Sequence, residues 1–387
     1  MAMLAAMDFS LAAKDFSAAV HRCTAATNKT SAMPVLATVL LRAGPGEVTV
    51  TGTDLYNTVA VRVAADVARP GAYCLDGVDL AKRIQAMPGG VVQIVQAPPA
   101  TPDTPLGPVK IQAVGTRRAF VMSGIPAHDY PNVEASLDAT PLALPAGVLT
   151  RLLRQVMASI STDETRAHVN CARVELKGSS ARMVSTDGHR LTLATATLPD
   201  KALPCVEALL SRAAAGILRK LLEEVNPATD VSLRFASPSL VVSVGNVTFT
   251  TKLVDAAFPP YQQVVPAPRD VSYRVARLPL LDMVKAVAIA SDTHGIRLTF
   301  GQDNILAEGN NAELGSGSDE IGCVAGPGAV PPAFVAAFNS SYLRDALSVT
   351  DVDEVALTID GELSPLVIKP VGADEPSYLA VVMPMRV

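Results

Sequence analysis

A serine, an aspartate and a histidine fall close together in Ser185-Thr186-Asp187-Gly188-His189-Arg190-Leu191. Nucleophile, orienting carboxylate and base are the residue types of a hydrolase. The spacing does not suit that chemistry. Side chains two apart on one strand face the same way without forming the base-to-nucleophile geometry of a triad. Val184 before the stretch and Leu191 and Leu193 after it alternate roughly as a strand does, so the stretch reads as strand interrupted by a turn or bulge. Gly188 supplies a backbone conformation that residues with a Cβ resist. Asp187 can hold the turn by bonding the backbone just ahead. Two readings stay open: an ordinary hairpin corner, and one wall of a peptide-docking groove.

No other constellation offers catalysis. His21, His128, His168 and His294 show no metal-ligand spacing. The five cysteines, Cys23, Cys74, Cys171, Cys205 and Cys323, are scattered, odd in number and without a CxxC pair. They read as small core or surface residues in a reducing compartment. No GxxxxGK[ST] or GxGxxG loop occurs, which argues against nucleotide hydrolysis. The expectation is a non-enzyme with no catalytic residue, no metal and no cofactor.

The elements that must position this stretch come from a chain of 387 residues, long enough for two or three domains. It is 49% hydrophobic and 18% charged, the balance of a soluble protein with a large core. A net charge of −5 excludes a simple basic DNA binder, so any duplex contact must come from local segregation of charge. With no Trp and 4% aromatics, the chain lacks the stacking platforms of a single-strand binder. The opening MAMLAAMDFSLAAKDF has no basic leader followed by a long apolar run, and no segment is long enough to span a membrane. A cytoplasmic location is expected.

An internal repeat organises the chain. Three stretches each predict a short strand, a helix, then strands ending at a related corner. The first has Phe9–Leu11, a helix over 13–26, strands over 35–42 and 47–51, and a corner at Thr51-Gly52-Thr53-Asp54-Leu55. The second has Leu142–Leu144, a helix over 146–159, strands over 170–176 and 181–185, and the corner at Asp187. The third has Tyr273–Val275, a helix over 278–290, strands over 295–300 and 304–309, and a corner at Asn310–Leu314. Each second half adds a helix (77–87, 211–225 and 341–347) and further strands. Two repeats close on similar signals, Asp129-Tyr130-Pro131 and Phe258-Pro259-Pro260-Tyr261. Strands outnumber helices and neighbours are hairpin-connected, so the fold class is α+β with antiparallel sheets. Two stretches read as surface loops: Pro-rich 97–108, and Gly/Ser/Asn-rich 309–328.

The six predicted helices carry Lys14, His21 and Arg22; Lys82 and Arg83; Arg151 and Arg154; Arg212, Arg219 and Lys220; Arg277 and Lys285; and Arg344. Fewer acids oppose them: Asp15, Asp79, Glu223, Glu224, Asp282 and Asp345. One such helix is an ordinary solvated face. A basic lean in all six, within an acidic chain, predicts a surface that attracts phosphate without reading bases.

Thr186–Leu191 (TDGHRL) and Val381–Val387 (VVMPMRV) resemble the bacterial beta sliding clamp family, the processivity subunit of DNA polymerase III. The resemblance covers nearly the whole chain. It implies three clamp-fold domains of two helices each, over 1–135, 141–266 and 271–387, and a head-to-tail homodimer forming a six-domain ring. It implies a ring that encircles double-stranded DNA and tethers the replicative polymerase, with catalysis left to that partner. It also implies a groove for short peptides, typically Gln-Leu plus a hydrophobic pair, from the polymerase III alpha subunit, the clamp loader, other polymerases and repair proteins. A second reading is a clamp-fold paralogue that scaffolds partners or substitutes under inhibitor pressure.

Carried over by position, the groove comprises Val169, Thr186, Gly188, His189, Arg190, Leu191, Pro259, Val264, Asn339, Tyr342, Leu363, Val381, Val382, Met383, Pro384, Met385 and Arg386. Leu191, Val264, Val381 and the methionines suit an adaptable apolar floor. Arg190 and Arg386 are expected to offer donors to the peptide. Further DNA contacts fall on Lys29, Arg166 and His168. The dimer contact maps to Phe120 and Met122, which alternate on a strand, against Ile289 and Ala290. The chain departs from the family in three places. Gln263 stands for a basic residue, Ala167-His168 for a tyrosine pair, and Ala290 for a larger aliphatic, which predicts a weaker ring.

Overall fold

The computed structural model describes residues 7–386 apart from 98–106, 133–137, 267–271, 292–293, 314, 327–333 and 373–376. Helices α1 (Ala13–Thr24), α2 (Gly77–Gln85), α3 (Ala146–Val156), α4 (Arg212–Glu223), α5 (Arg277–Val287) and α6 (Ser340–Ser348) stand among antiparallel strands, an α+β fold. The spacing of apolar residues explains them. In α1, Phe16, Ala19, Val20 and Cys23 are buried, an i, i+3, i+4, i+7 stripe. The Asp76 carboxylate accepts from the Asp79 amide and starts α2. Among the described residues no helix is long and apolar enough to cross a membrane.

Two compact units are present, the first reaching to Ala146 and including Lys220–Leu253, the second comprising Gly147–Arg219 and Val254–Val387. Each holds a nine-stranded sheet and a smaller one, of five strands in the first unit and four in the second. In the first unit, Asn57–Ala64 pairs with Val247–Lys252. In the second, Arg190–Thr197 pairs with Tyr378–Val382, setting Leu191 opposite Val381. Each large sheet therefore runs continuously from strands of one repeat to strands of the next. One core cluster of the second unit gathers Tyr273, Phe300, Phe338 and Tyr378.

The repeat holds at the level of single atoms. The eleventh residue of α1, α3 and α5 turns its carbonyl onto the same strand position each time. A Cβ on Gly52 would lie 2.1 Å from the Cys23 oxygen, and one on Gly309 2.6 Å from the Val287 oxygen. The middle repeat carries Ser185 there, whose hydroxyl donates to the Val156 oxygen at 2.7 Å. The corners that follow share a bonding pattern. Asp54 Oδ1 accepts from the Tyr56 and Asn57 amides, Asp187 Oδ1 from the His189 and Arg190 amides, and Asn311 Oδ1 from the Glu313 amide. Gly188 takes φ +97°, and Leu55 is held at φ +78° in the equivalent place.

Three expectations are corrected. The strand expected over 35–42 begins at Thr38; Pro34–Ala37 is a 3-10 turn, because Pro34 fixes φ and gives no amide hydrogen to a ladder. The loop expected over 309–328 is mostly a hairpin, with Asn304–Asn311 paired to Gly315–Gly322 as far as the Asn304–Gly322 pair. Gly315–Gly322 is a sheet edge exposed along most of its length, so it shows no apolar alternation to read. The strands Asn57–Ala64, Asp66–Arg69 and Leu203–Ser211 were not anticipated as separate elements. Most of the Pro-rich 97–108 lies outside the described residues; its ends are joined by the Ala97 amide donating to the Pro108 carbonyl at 2.8 Å.

Candidate peptide-docking site

The Asp187 corner is a tight hairpin between Ser180–Thr186 and Arg190–Thr197. Besides the Asp187 bonds, the Thr186 hydroxyl donates to the Arg190 carbonyl at 2.7 Å and accepts from the Gly188 amide at 3.1 Å. Hydrolase chemistry has no place in it. The Ser185 hydroxyl is buried and spent on Val156, and the Asp187 carboxylate is spent on two amides and on Arg190. Burial pushes the thiols of Cys171 and Cys74 up to about 11 and about 12, so neither is a nucleophile at neutral pH.

Arg190, expected to offer donors to a peptide, already spends three of its N–H groups inside the corner. Its Nε donates to Asp187 at 2.9 Å, one terminal nitrogen to Asp345 on α6 at 2.7 Å, and the other to the Ala158 carbonyl at 2.5 Å. Its guanidinium lies over the Tyr342 ring, 4.3 Å from the centroid. Asn339 is likewise committed: its side-chain oxygen accepts from the Ser341 and Tyr342 amides and caps α6.

Beside this corner is a cavity of about 170 Å³ lined by Val169, Thr186, Gly188, Arg190, Leu191, Pro259, Val264, Val381 and Met383, together with Arg166, His168 and Tyr261. Leu191 and Val381 are 1% exposed and belong to a small cluster with Val184, Tyr261, Val367 and Leu379. They make a rigid apolar floor. Val264 and Met383 are 44% and 37% exposed, apolar groups held at a rim where water is their present neighbour. The C-terminal segment supports one side. The Met383 amide donates to the His189 carbonyl at 2.9 Å, and the Met385 amide to the Ala337 carbonyl at 2.7 Å. Met383–Met385 thereby bridges the large and the small sheet of the second unit.

Not every expected groove residue meets this cavity. Val382 alternates away from Val381 and is buried in the core with Tyr273 and Leu366. Tyr342 reaches it only through Arg190. Met385 and Arg386 line a separate open depression with Arg297 and Glu308. Leu363 is 69% exposed and does not line the cavity. Tyr261 was missed. Its signal was present in Phe258-Pro259-Pro260-Tyr261, but a buried aromatic and a cavity wall look alike in sequence.

Models of three consecutive domains match this chain: the DNA polymerase III beta subunit N-terminal domain over 7–134, its central domain over 143–260 and its C-terminal domain over 262–386. The chain belongs to the DNA polymerase III beta subunit family. The beta sliding clamp of Pseudomonas putida is 29% identical over 361 residues, covering 92% of this chain and 94% of that one. That of Escherichia coli is 28% identical over 358 residues, covering 92% and 93%. The crystal structure of the DNA polymerase III subunit beta from Pseudomonas aeruginosa superposes with a TM-score of 0.87 at 26% identity, over 98% of this chain and 100% of that one. This family member is a DNA sliding clamp of replication and a non-catalytic subunit.

The cations expected at DNA divide by geometry. Lys14, Lys29, Lys82, Lys220, Lys285 and Arg344 are exposed. Several arginines are occupied by the fold. Arg22 pairs with Glu224 at 2.7 Å, Arg83 with Asp79 at 2.9 Å, and Arg154 with Asp351. Arg151 donates to the Thr195 carbonyl, Arg212 to those of Met157 and Ile160, and Arg277 to those of Val352 and Leu347. Burial lowers the pKa of both Arg151 and Arg212. Arg166 and His168 line the cavity beside Asp187, and Arg166 donates to the Asp187 carbonyl at 3.2 Å. Arg219 is half-buried on α4.

Of the residues expected at a dimer contact, Ile289 is 84% exposed. Phe120 and Met122 do share a face of Ala119–Met122, but that face turns inward. Met122 is 4% exposed, and Phe120 lies under the Arg83 guanidinium. The outward residue of this edge strand is Val121, 58% exposed. Ala290 packs toward Gly317, where an added Cβ would come within 3.1 Å of its own.

Proposed function

We propose that two copies of this chain close head to tail into a six-domain ring around duplex DNA, and that the groove beside Asp187 docks short peptides of the replicative polymerase, the clamp loader and other polymerases and repair proteins. The observation that carries the groove is the apolar floor of Leu191 and Val381 beneath an exposed rim of Val264 and Met383. A hydrophobic side chain entering it loses water on most of its surface, worth about 2 kcal/mol for a leucine-sized group. The preformed floor reduces the ordering cost that docking otherwise carries.

Contact with DNA falls to the exposed lysines and Arg344. Such contacts are weak and screened, which suits a protein retained by topology while it slides. The ring would close through exposed Ile289, beside the free edge of Gly315–Gly322, meeting the free edge at Ala119–Met122 of a second copy. Primer extension on a circular template with polymerase and loader tests the proposal. Products should lengthen strongly when the chain is added; products of unchanged length would reject processivity and favour a partner scaffold.

A further inference from the structure

Tyr261 sits where the irregular wall of the groove meets its rigid floor. Its ring packs with Leu191 and Val381 and meets Phe258 edge-on at 6.4 Å. Its backbone organises the wall. The Tyr261 amide donates to the Pro259 carbonyl at 2.7 Å, and its carbonyl accepts from the Val264 and Val265 amides at 3.0 and 3.2 Å. Pro259 and Val264, both cavity-lining, therefore hang from this one residue. The hydroxyl donates to Glu175 at 2.9 Å, while Arg182 donates to it at 3.4 Å; neither partner lines the cavity. Glu175 is held in turn by Arg173 at 2.7 Å, and Arg173 lies 6.0 Å from the Tyr261 ring centroid. Glu175 stands in the middle of Cys171–Gly178, a strand paired on both sides, whereas the wall has only the single turn Tyr261–Gln263.

We infer that Tyr261 is a ligand-contacting wall of the groove and that Glu175 is its positioning residue. The hydroxyl-to-carboxylate bond transfers the rigidity of the sheet to the wall, and so sets the gap between Val264 and the Leu191–Val381 floor. This inference rests on the peptide-docking reading of the groove. It extends the site to two residues outside the family-derived set, one touching the peptide and one acting through it.

Fluorescence anisotropy with a labelled peptide carrying Gln-Leu followed by Leu-Phe, titrated with the full-length chain, tests it. Tyr261→Phe keeps the ring and loses the bond; the affinity should fall about fivefold, the worth of one such hydrogen bond. Glu175→Leu, which removes the acceptor, should match it. The double variant should bind no more weakly than the weaker single variant, because both break the same link. Tyr261→Leu, which removes the wall itself, should lose more than Tyr261→Phe. Losses that multiply in the double variant mean independent damage and overturn the inference, as does unchanged affinity in Tyr261→Phe. Failure of the unsubstituted chain to bind the peptide overturns the groove reading as well.

Discussion

Arg190 donates to two carboxylates and a carbonyl while covering an aromatic ring. Asp345, one of those carboxylates, lies on α6 and does not line the peptide cavity. Asp345→Asn keeps its shape and removes its charge, so α6 and Tyr342 lose their ionic tie to the Asp187 corner. Asp345 is 32% exposed, so solvent already screens the pair, and the loss of stability should be only about 1 kcal/mol. Peptide affinity should fall further than that, about tenfold, because Arg190, which lines the cavity, loses one of the three partners that fix it. Anisotropy set beside a urea melt separates the two; a melt that shifts while affinity holds would confine Asp345 to structure. Gly188 makes a smaller point at the same scale. Its φ of +97° strains any residue with a Cβ, so Gly188→Ala should cost about 1 kcal/mol and loosen the corner.

At the scale of elements, the alternation of Val184, Leu191 and Leu193 and the three helix-then-corner repeats were legible because each is a periodic pattern of burial. Val184 and Leu191 do share one cluster, with Leu193 packed against it. What stayed hidden has no period. Gly315–Gly322 is exposed on an edge, and Tyr261 is a single aromatic in an irregular segment; for Met122 the period was legible, but not which way its face turns. The occupation of Arg151, Arg212 and Arg277 by backbone carbonyls was equally invisible, since a phosphate-seeking arginine and a carbonyl-capping one are the same letter. The repeat also makes a prediction at its most crowded point. Gly52→Ala would drive a Cβ to 2.1 Å from the Cys23 oxygen, a backbone atom that cannot step aside. The cost should be about 3 kcal/mol by chemical denaturation. Ser185→Ala, at the equivalent place with room already made, should lose only its hydrogen bond to Val156, about 1 kcal/mol. The C-terminal segment is the other element open to test. Deleting Met383–Val387 removes the rim methionine and both backbone bonds that fix it, so peptide binding should vanish while sedimentation still reports a dimer. Unchanged peptide affinity would place the site elsewhere.

For the whole molecule, the two proposed roles depend on different parts of the chain. All cavity-lining residues belong to the second compact unit, whereas ring closure needs surfaces from two copies. A substitution that opens the ring should therefore leave peptide docking intact. Ile289 is the place to make it, because it is 84% exposed and contributes nothing to the core of the single chain. Ile289→Lys should put an uncompensated charge in the contact, costing several kcal/mol of association and converting the dimer to monomer at micromolar concentration by sedimentation. Its melting temperature should barely move, and its peptide affinity should match the unsubstituted chain. Retention on a nicked circular duplex should be lost even at low salt, since the lysines alone hold DNA only through screened contacts. Because Ala290 offers little side chain to the same contact, the unsubstituted ring should itself show monomer on dilution; a dimer that persists at every concentration would mean that the sheet edges, and not this turn, hold it closed. A monomeric Ile289→Lys chain that still supported long primer extension would mean that affinity for DNA, not encirclement, keeps the polymerase in place.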